Sequence, residues 1–515
     1  MIMKIMKKSI IAALALAASL TSCNFSDFGD INISPNAPSD PYTSMLFTNA
    51  CFSARNFISA SSYDYWQPSF VGYMAESKNN QFGSLATTYE FDTRGYYYGS
   101  LKMLNKIIEM NKDPELKDDL VYVKPFCSSN ENQIAAALTL RAFYMMHLTD
   151  LVGALPWSEA WRGESDDIWF PKFDSQQEIY TALFNDLEEA YGMFQEGANL
   201  SSADILIGGN IARWKKFNAS IRMDMALRIS DVDAGTAKSR FATAYNQGGI
   251  TEDADQVLYK YDIRATNSPL YPVGCMTYDA RNLSWGPNKI IVEALKEYKD
   301  PRMFTRFTIG DDAYLGKRDG DPTDFEAYFG ITHGHSGNGD VTADAALACS
   351  FTQKYCTQAA DYGLFTAARS LFNMAEAVQR GLISGDAAAL YEKAVRSSFA
   401  FEGADDVDEY IAAHPLPSDN EGAIREISMQ RWIAGFMTDC VEVYSDWRRT
   451  NVPALPLTDF QQLQHPGHTT MPSRFIYSDT DKERNPDQYE AAVAQYLGGN
   501  DDRWARVWWD VTPNE

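Results

Sequence analysis

Cysteine and histidine are scarce in this sequence, and basic residues are outnumbered by acidic ones. The 515 residues include 7 Cys and 6 His, and no cysteine spacing matches a zinc ribbon or a redox motif. These counts argue against a disulfide-stapled scaffold, and most cysteines are expected to be small buried hydrophobes. Lys and Arg number 45 against 69 Asp and Glu, a formal net charge of −24. No nucleic-acid partner is expected, because such a surface would repel phosphates.

Long hydrophobic runs are also missing, apart from one near the start. Residues 10–18 form an apolar run behind three lysines, the pattern of a secretory signal peptide and too short for a membrane helix. Leu-Thr-Ser-Cys follows at residues 20–23 and resembles a bacterial lipobox. We expect residues 1–22 to be a lipoprotein signal peptide and Cys23 to be the lipidation site. The alternative is a plain signal peptide followed by a chance cysteine.

The stretch after this cysteine has the composition of a linker. Residues 23–44 are rich in Pro, Asn, Asp and Ser, which predicts a lipidated extended tether. No later segment approaches the roughly 18 to 20 apolar residues of a membrane helix. We therefore expect the rest of the chain to be held at a membrane by acyl chains alone.

Apolar residues recur with a helical period, and the periodic segments come in pairs. One stripe covers residues 364–378, and Gly381 and Asp386 then offer a helix stop and an N-cap before a second stripe at 387–398. The same period occurs at residues 97–110, 134–148, 179–191 and 211–225. Such pairs resemble tetratricopeptide units. The predicted fold is mostly α, with tetratricopeptide-like helix pairs forming a curved scaffold, long irregular loops and little β-structure.

Three long stretches carry no clear period: residues 60–96, 250–350 and 402–422. Loops of this length usually carry function. The cluster from His333 to Asp340 places two histidines near an aspartate, but it lacks a third ligand and is interpreted as a Gly-rich loop. We predict no catalytic residue, no metal ligand and no cofactor. A glycoside hydrolase needs only two carboxylates, so a lipid-anchored hydrolase stays open as an alternative.

Aromatic residues make up 13% of the chain and are frequent in the first two of these loops. A sugar ring stacks its apolar face on Trp or Tyr, and its hydroxyl groups bond to Asn, Gln, Asp or Arg. Trp66 and Trp285 are the best candidates for such stacking. Tyr97 and Tyr98 could also stack on a sugar, and the alternative is that they begin a buried helix. The candidate ligand-binding residues are Tyr63, Tyr65, Trp66, Asn79, Asn80, Gln81, Arg94, Tyr96, Tyr278, Arg281, Asn282, Trp285, Tyr314 and Tyr328.

Seven motifs occur in the order found in one known family. They are Asp30–Pro38, Leu140–Tyr144 running into Asp150–Trp157, Gly208–Ser220, Met374–Gly381, Gln430–Ile433, Glu442–Thr450 and Met471–Phe475. With these motifs the chain resembles the SusD/RagB family of nutrient-binding outer-membrane lipoproteins of Bacteroidota, and within it the SusD-like 2 branch. We interpret most motif residues as architectural, with ion pairs between Glu376 and Arg380 and between Asp446 and Arg448 or Arg449.

The resemblance implies a function as well as a fold. Residues 45–515 would form a single SusD-like domain, with loop-rich insertions around 60–96 and 250–350. The protein would be a cell-surface lipoprotein, not an enzyme, that binds a glycan nutrient and delivers it to a SusC-like TonB-dependent transporter. The lipid would anchor it to the outer membrane, facing the cell exterior. Alternatives are a peptide or other nutrient as cargo, a purely structural subunit of the transporter, and the hydrolase.

Overall fold

The computed structural model describes residues 41–58, 66–76, 85, 90–261, 285–309, 320–334, 348–357 and 359–512. The signal peptide, Cys23 and almost all of the predicted tether lie outside these ranges. From Thr43 onward the chain forms one compact unit. None of the described helices is both long and apolar enough to cross a membrane.

The described chain is mostly helical, which confirms the predicted fold class. In chain order the helices are α1 (Thr43–Phe52), α2 (Arg55–Ile58), α3 (Trp66–Phe70), α4 (Leu101–Lys112), α5 (Asn130–Val152), α6 (Gly163–Asp166), α7 (Gln176–Met193), α8 (Ile211–Arg228), α9 (Ala234–Gln247), α10 (Lys289–Glu297), α11 (Arg302–Arg306), α12 (Gln353–Cys356), α13 (Ala367–Gln379), α14 (Ala387–Glu402), α15 (Val407–Ala413), α16 (Asn420–Ala434), α17 (Cys440–Thr450), α18 (Asp459–Gln464), α19 (Asp479–Arg484) and α20 (Pro486–Tyr496). A π-helical turn at Tyr96–Ser100 leads into α4, and 3₁₀ turns occur at Asp253–Asp255 and Phe325–Ala327.

The strands are short and pair two by two. They are β1 (Met74–Glu76), β2 (Glu90–Phe91), β3 (Val257–Lys260), β4 (Trp285–Pro287), β5 (Phe307–Thr308), β6 (Ser350–Phe351), β7 (Asp361–Phe365) and β8 (Ile476–Tyr477). The antiparallel pairs are β1 with β4, β3 with β7 and β5 with β6, whereas β2 and β8 are parallel. Each pair joins segments that are distant in sequence, so the strands tie loops onto the helical body.

Helix ends follow the capping residues that the sequence provides. Asp386 caps α14 by accepting a hydrogen bond from the backbone N–H of Ala389, and Gly381 follows α13 with a φ of 69°. Helices α13 and α14 pack against each other as the predicted hairpin. Gly153 ends α5 with a φ of 93°, the left-handed region that only glycine enters without strain.

Neighbouring helices pack in sequence order to build the core. Helix α5 packs against α4 and α7, and α8 packs against α9. Helix α13 contacts α8 and α16 in addition to α14, which connects the first half of the chain to the second. The described cysteine side chains are buried, as expected; they are Cys51, Cys127, Cys349 and Cys440.

All three stretches without a period contain helices, which corrects the sequence interpretation; the 5-residue helix α3 lies within residues 60–96. Helix α10 lies within residues 250–350 and buries Ile291, Val292 and Leu295. It has only 9 residues, about two and a half turns, which is too short to stand out from its aperiodic flanks. Helix α15 lies within residues 402–422 and has 7 residues, so it is too short to be recognised for the same reason.

Motif residues form buried ion pairs between the later helices. Glu376 of α13 accepts hydrogen bonds from Arg449 (2.5 and 2.8 Å), Arg431 (2.7 Å) and Arg380 (2.6 Å). Burial alone would raise the pKa of Glu376, but the three guanidinium groups outweigh it and hold the pKa well below its usual value. This carboxylate therefore stays ionised and joins α13, α16 and α17.

A second buried cluster lies beside the first. Arg228 of α8 pairs with Asp150 and Glu442, and Arg369 of α13 also reaches Glu442, at 2.9 Å. Burial would raise the pKa of Glu442, but Arg228 and Arg369 lower it to about 2. Both clusters have an architectural role, as the sequence analysis proposed.

The predicted ion pairs are present, and the structure shows that Asp446 pairs with Arg449 and not with Arg448. Glu376 pairs with Arg380, and Asp446 pairs with Arg449 at 3.1 Å. Arg448 instead donates to the backbone carbonyls of Asp150 (2.6 Å) and Ser473 (3.0 Å). It therefore fixes the end of α5 rather than balancing Asp446.

Candidate ligand-binding site

Three of the predicted aromatic contacts lie in the core, which corrects their assignment. Tyr96, Trp285 and Tyr328 are 6%, 7% and 2% exposed. The ring of Tyr96 stacks on Phe57 with centroids 5.3 Å apart, and Tyr328 packs its ring on Phe304 at 5.7 Å. Trp285 is buried in β4, which pairs with β1. None of these rings offers a free face to a sugar.

Most other predicted contacts lie outside the described residues. These are Tyr63, Tyr65, Asn79, Asn80, Gln81, Tyr278, Arg281, Asn282 and Tyr314. The backbone of Trp66 begins α3, but its side chain is also outside the description. Arg94 is the predicted residue that the structure places at a cleft.

This cleft, which we call the aromatic cleft, has three walls. The first is the helical segment that carries Tyr98 and continues into α4, the second is the loop of residues 156–173, and the third is α19 with Asn485. Its volume is about 570 Å³, within the range of small-molecule sites. The cleft is therefore large enough for a short oligosaccharide.

The helical wall presents one tyrosine to solvent and turns its neighbour inward. Tyr98 is 72% exposed, whereas Tyr97 donates its hydroxyl hydrogen to the carbonyl of Pro156 at 2.6 Å. Both lie in the π-helical turn, a distortion that occurs often at functional sites. Lys102 and Asn105 follow Tyr98 at i+4 and i+7 and line the same cleft.

The loop wall is held at its base by a buried aspartate. Asp174 accepts hydrogen bonds from the backbone N–H groups of Trp157 (3.0 Å) and Ser158 (2.7 Å), and from the Ser158 hydroxyl (2.8 Å). Burial alone would raise the pKa of Asp174, but these bonds and Lys172 lower it. The loop therefore starts from a fixed backbone position.

Two tryptophans that sequence reasoning missed stand on this loop. Trp161 adopts a φ of 61°, which is uncommon for a bulky residue and occurs often at functional sites. Its Nε1 donates to the carbonyl of Tyr97 at 2.8 Å, and the two rings lie 5.8 Å apart. The backbone strain is thus balanced by contacts that join the loop to the helical wall.

Trp169 is the exposed platform of the loop, with 63% of its surface free. Its ring lies over Gly163, where an added Cβ would come within 2.9 Å of the indole. Its Nε1 donates to Asp167 at 2.6 Å. The indole is therefore fixed on one face and one edge, and the rest of its surface is open. The only sequence signal was a tryptophan just after the polar stretch 163–167.

The third wall carries charged and amide groups. Asn485 donates its side-chain N–H to the carbonyl of Pro171 at 2.8 Å and so ties this wall to the loop. Asp481 accepts from the Ser478 hydroxyl at 2.9 Å, and burial raises the pKa of Asp481. Arg94 lies at the cleft and pairs with Asp92 at 2.7 Å.

The cleft combines open aromatic faces with a polar rim, the combination that binds sugars. Among the described side chains, no group of three or more His, Cys, Asp or Glu is arranged to hold a metal ion. In the predicted Gly-rich loop, Nε2 of His333 lies 3.2 Å from the carbonyl of Pro456, and residues 335–340 lie outside the description.

Comparisons with known proteins agree on one family. A family model described as SusD-like 2, starch-binding and associating with the outer membrane, matches residues 35–478. A search of curated proteins finds no significant match. A solved chitin-binding protein is 25% identical, with a TM-score of 0.75, and the alignment covers 92% of this chain and 100% of that one.

Two solved SusD homologues are similar to the same extent. The one from Bacteroides fragilis NCTC 9343 is 22% identical, with a TM-score of 0.75, covering 91% of this chain and 99% of that one. The one from Bacteroides uniformis ATCC 8492 is 23% identical, with a TM-score of 0.74, covering 92% and 100%. At these identities the two structures support the fold.

Proposed function

Because this chain belongs to the SusD-like 2 family, a branch of the SusD/RagB nutrient-binding proteins associated with the outer membrane, we propose that it captures a glycan in the aromatic cleft. It then delivers this cargo to a SusC-like TonB-dependent transporter. The observation that carries the proposal is the pair of exposed rings, Tyr98 and Trp169, on two walls of one cleft of about 570 Å³.

The arrangement of these rings suits a sugar chain. Exposed large aromatics on one concave surface indicate a binding site, because their apolar faces gain free energy when covered. The hydroxyl groups of a sugar can bond to the amide of Asn105 and to the charged groups around it. The solved chitin-binding protein with the same fold supports a carbohydrate as cargo.

Delivery follows from attachment to the membrane. Cys23 would carry the lipid, and residues 23–44 would form a tether that reaches up to about 70 Å when extended. Tethering raises the local concentration of the protein at a transporter. Capture and transfer need no catalytic group, so binding alone fulfils this function.

Isothermal titration calorimetry on residues 24–515, with panels of oligosaccharides and of peptides, tests the proposal. We expect an oligosaccharide to bind, and Trp169→Ala and Tyr98→Ala each to weaken binding at least 10-fold. Phe170→Ala is the matched control, because Phe170 is 65% exposed on the same loop but does not line the cleft; it should change affinity less than 2-fold.

Three results would contradict the proposal. Binding of peptides alone would replace the glycan with a peptide cargo. If the wild type and the Trp169→Ala variant bound the oligosaccharide with equal affinity, the aromatic cleft would not be the binding site. Chromatographic detection of shortened oligosaccharides after incubation would show a hydrolase.

A further inference from the structure

The carboxylates that line the aromatic cleft are mostly engaged by neighbours. Glu109 accepts from the amide of Asn105 at 2.8 Å. Glu159 accepts from the backbone N–H of Lys172 at 2.8 Å, and Asp481 is half-buried and bonded to Ser478. Glu164 is the exposed exception. Three of the four lining carboxylates therefore already spend part of their hydrogen-bonding capacity on the protein.

Two cations that line the cleft are in a different situation. Lys102 stands on α4 and Arg484 on α19, and both side chains are exposed. In the described part of the chain, neither is within 4.0 Å of a carboxylate, whereas Arg94 at the same cleft is paired with Asp92. One free cation thus stands on each of two walls, with the exposed ring of Tyr98 one helical turn from Lys102.

An anionic sugar fits this arrangement better than a neutral one. Its ring can stack on Tyr98 or Trp169 while its charged group meets Lys102 or Arg484. Guanidinium binds carboxylate and sulfate oxygens through paired hydrogen bonds, and ammonium binds them as a point charge. On a chain with a net charge of −24, such a ligand needs local positive groups, because the overall field repels it.

We infer that the aromatic cleft selects oligosaccharides that carry anionic groups, either uronic-acid carboxylates or sulfate esters, through Lys102 and Arg484. This inference rests on the proposed glycan-binding function and specifies its ligand class. The chemistry shared by the two kinds of ligand is a sugar ring with a fixed negative charge.

Calorimetry with matched pairs of oligosaccharides tests the inference on residues 24–515. One pair is tetragalacturonate and its methyl ester, and the other is a sulfated galactose tetrasaccharide and its desulfated form. We expect the charged member of at least one pair to bind at least 10-fold more tightly than the neutral member, with an advantage that shrinks as salt rises. The pair that shows the preference identifies carboxylate or sulfate.

Variants then locate the charge recognition. Lys102→Gln combined with Arg484→Gln should weaken binding of the charged member at least 10-fold and change binding of its neutral partner less than 2-fold. The matched control is Lys238→Gln with Arg425→Gln, two exposed cations away from the cleft, which should change neither affinity more than 2-fold.

The outcomes separate this inference from the proposed function. The inference would be overturned if the charged and neutral members of both pairs bound with equal affinity. It would also be overturned if the variant with both Lys102→Gln and Arg484→Gln bound the charged member as tightly as the wild type does. Binding of another neutral oligosaccharide without any binding of the charged members would overturn it and leave the glycan proposal intact. If no oligosaccharide bound, both would fail.

Discussion

The buried charge clusters and the aromatic cleft use the same residue types in opposite ways. Around Glu376, the buried Arg431 and Arg449 donate hydrogen bonds to the buried carboxylate, and the partly buried Arg380 donates to it as well. At the cleft, Tyr98, Trp169, Lys102 and Arg484 face solvent. In the first region the charged groups bond to each other within the fold. In the second region the side chains remain accessible to a ligand.

This difference separates architecture from binding. Removal of one partner from a buried pair leaves an uncompensated charge, which costs several kcal/mol. Removal of an exposed side chain costs the fold little and the ligand much. Substitutions in the clusters should therefore change stability, and substitutions in the cleft should change affinity.

The largest effect is expected at Glu376. Glu376→Gln should lower the free energy of unfolding by about 3 to 5 kcal/mol, because Arg431 and Arg449 are left inside the core with Asp446 as their shared counter-charge. Urea denaturation followed by tryptophan fluorescence measures the change. Glu252→Gln is the control, since its ion pair with Lys393 is exposed and should contribute less than about 1 kcal/mol. Similar losses in the two variants would mean that the buried ion pairs contribute no more to stability than the exposed one.

Asp510 is a buried charged group whose substitution should stabilise the fold. It is buried, and neither of its carboxylate oxygens has a hydrogen-bond partner in the described structure. Burial raises the pKa of Asp510 to about 6. Because the folded pKa lies above the unfolded value of about 3.9, the wild type loses stability as pH rises from about 4 through 6.

Asp510→Asn does not titrate and should escape this loss. At pH 8 the variant should be more stable than the wild type by about 2 to 3 kcal/mol, from a shift of about two pKa units at about 1.4 kcal/mol each. At pH 4 the two should be nearly equal. Urea midpoints measured from pH 4 to 8 give the difference, and a gap that does not grow with pH would refute the assignment.

Gly163→Ala tests whether the position of the Trp169 ring matters for binding at the cleft. The new methyl group would press on the indole of Trp169 at about 2.9 Å and displace the platform without touching the core. We expect oligosaccharide affinity to fall about 5-fold and the unfolding midpoint to stay constant. Gly192→Ala is the control, because a Cβ there has no neighbour within 4 Å. Unchanged affinity in Gly163→Ala would show that Trp169 does not bind the ligand.

The smallest effect is expected at Asp167. Asp167→Asn keeps an acceptor for Nε1 of Trp169 but removes its charge, so the hydrogen bond weakens without being lost. Affinity should fall about 2-fold, and competition binding against the wild type can resolve this. A loss above 10-fold would mean that Asp167 contacts the ligand itself.

The sequence predicted the scaffold well because local signals determine it. The hairpin of α13 and α14 follows from apolar period and from the caps at Gly381 and Asp386. Helix α10 was missed because two and a half turns leave too short a pattern. The ion pairs of Glu376 with Arg380 and of Asp446 with Arg449 could also be predicted, because their partners are four and three residues apart on one helix.

The cleft could be predicted only in part, because exposure depends on tertiary packing. Tyr96 and Tyr98 are two residues apart in the same aromatic run, yet the first is buried and the second is exposed. The π-helical turn decides which ring points outward, and no period in the sequence reveals that turn. Trp169 becomes a platform only because Gly163 and Asp167 hold its ring.

The parallel pairing of β2 with β8 has a consequence for how the cleft is completed. It joins Glu90–Phe91, just before the π-helical turn, to Ile476–Tyr477, just before α19. The first two walls of the cleft come from the first 173 residues, but the third arrives only with residues 479–485. The cleft is therefore complete only once residues 479–485 have packed against the first two walls, so a chain that ended before α19 would lack one wall of the cleft.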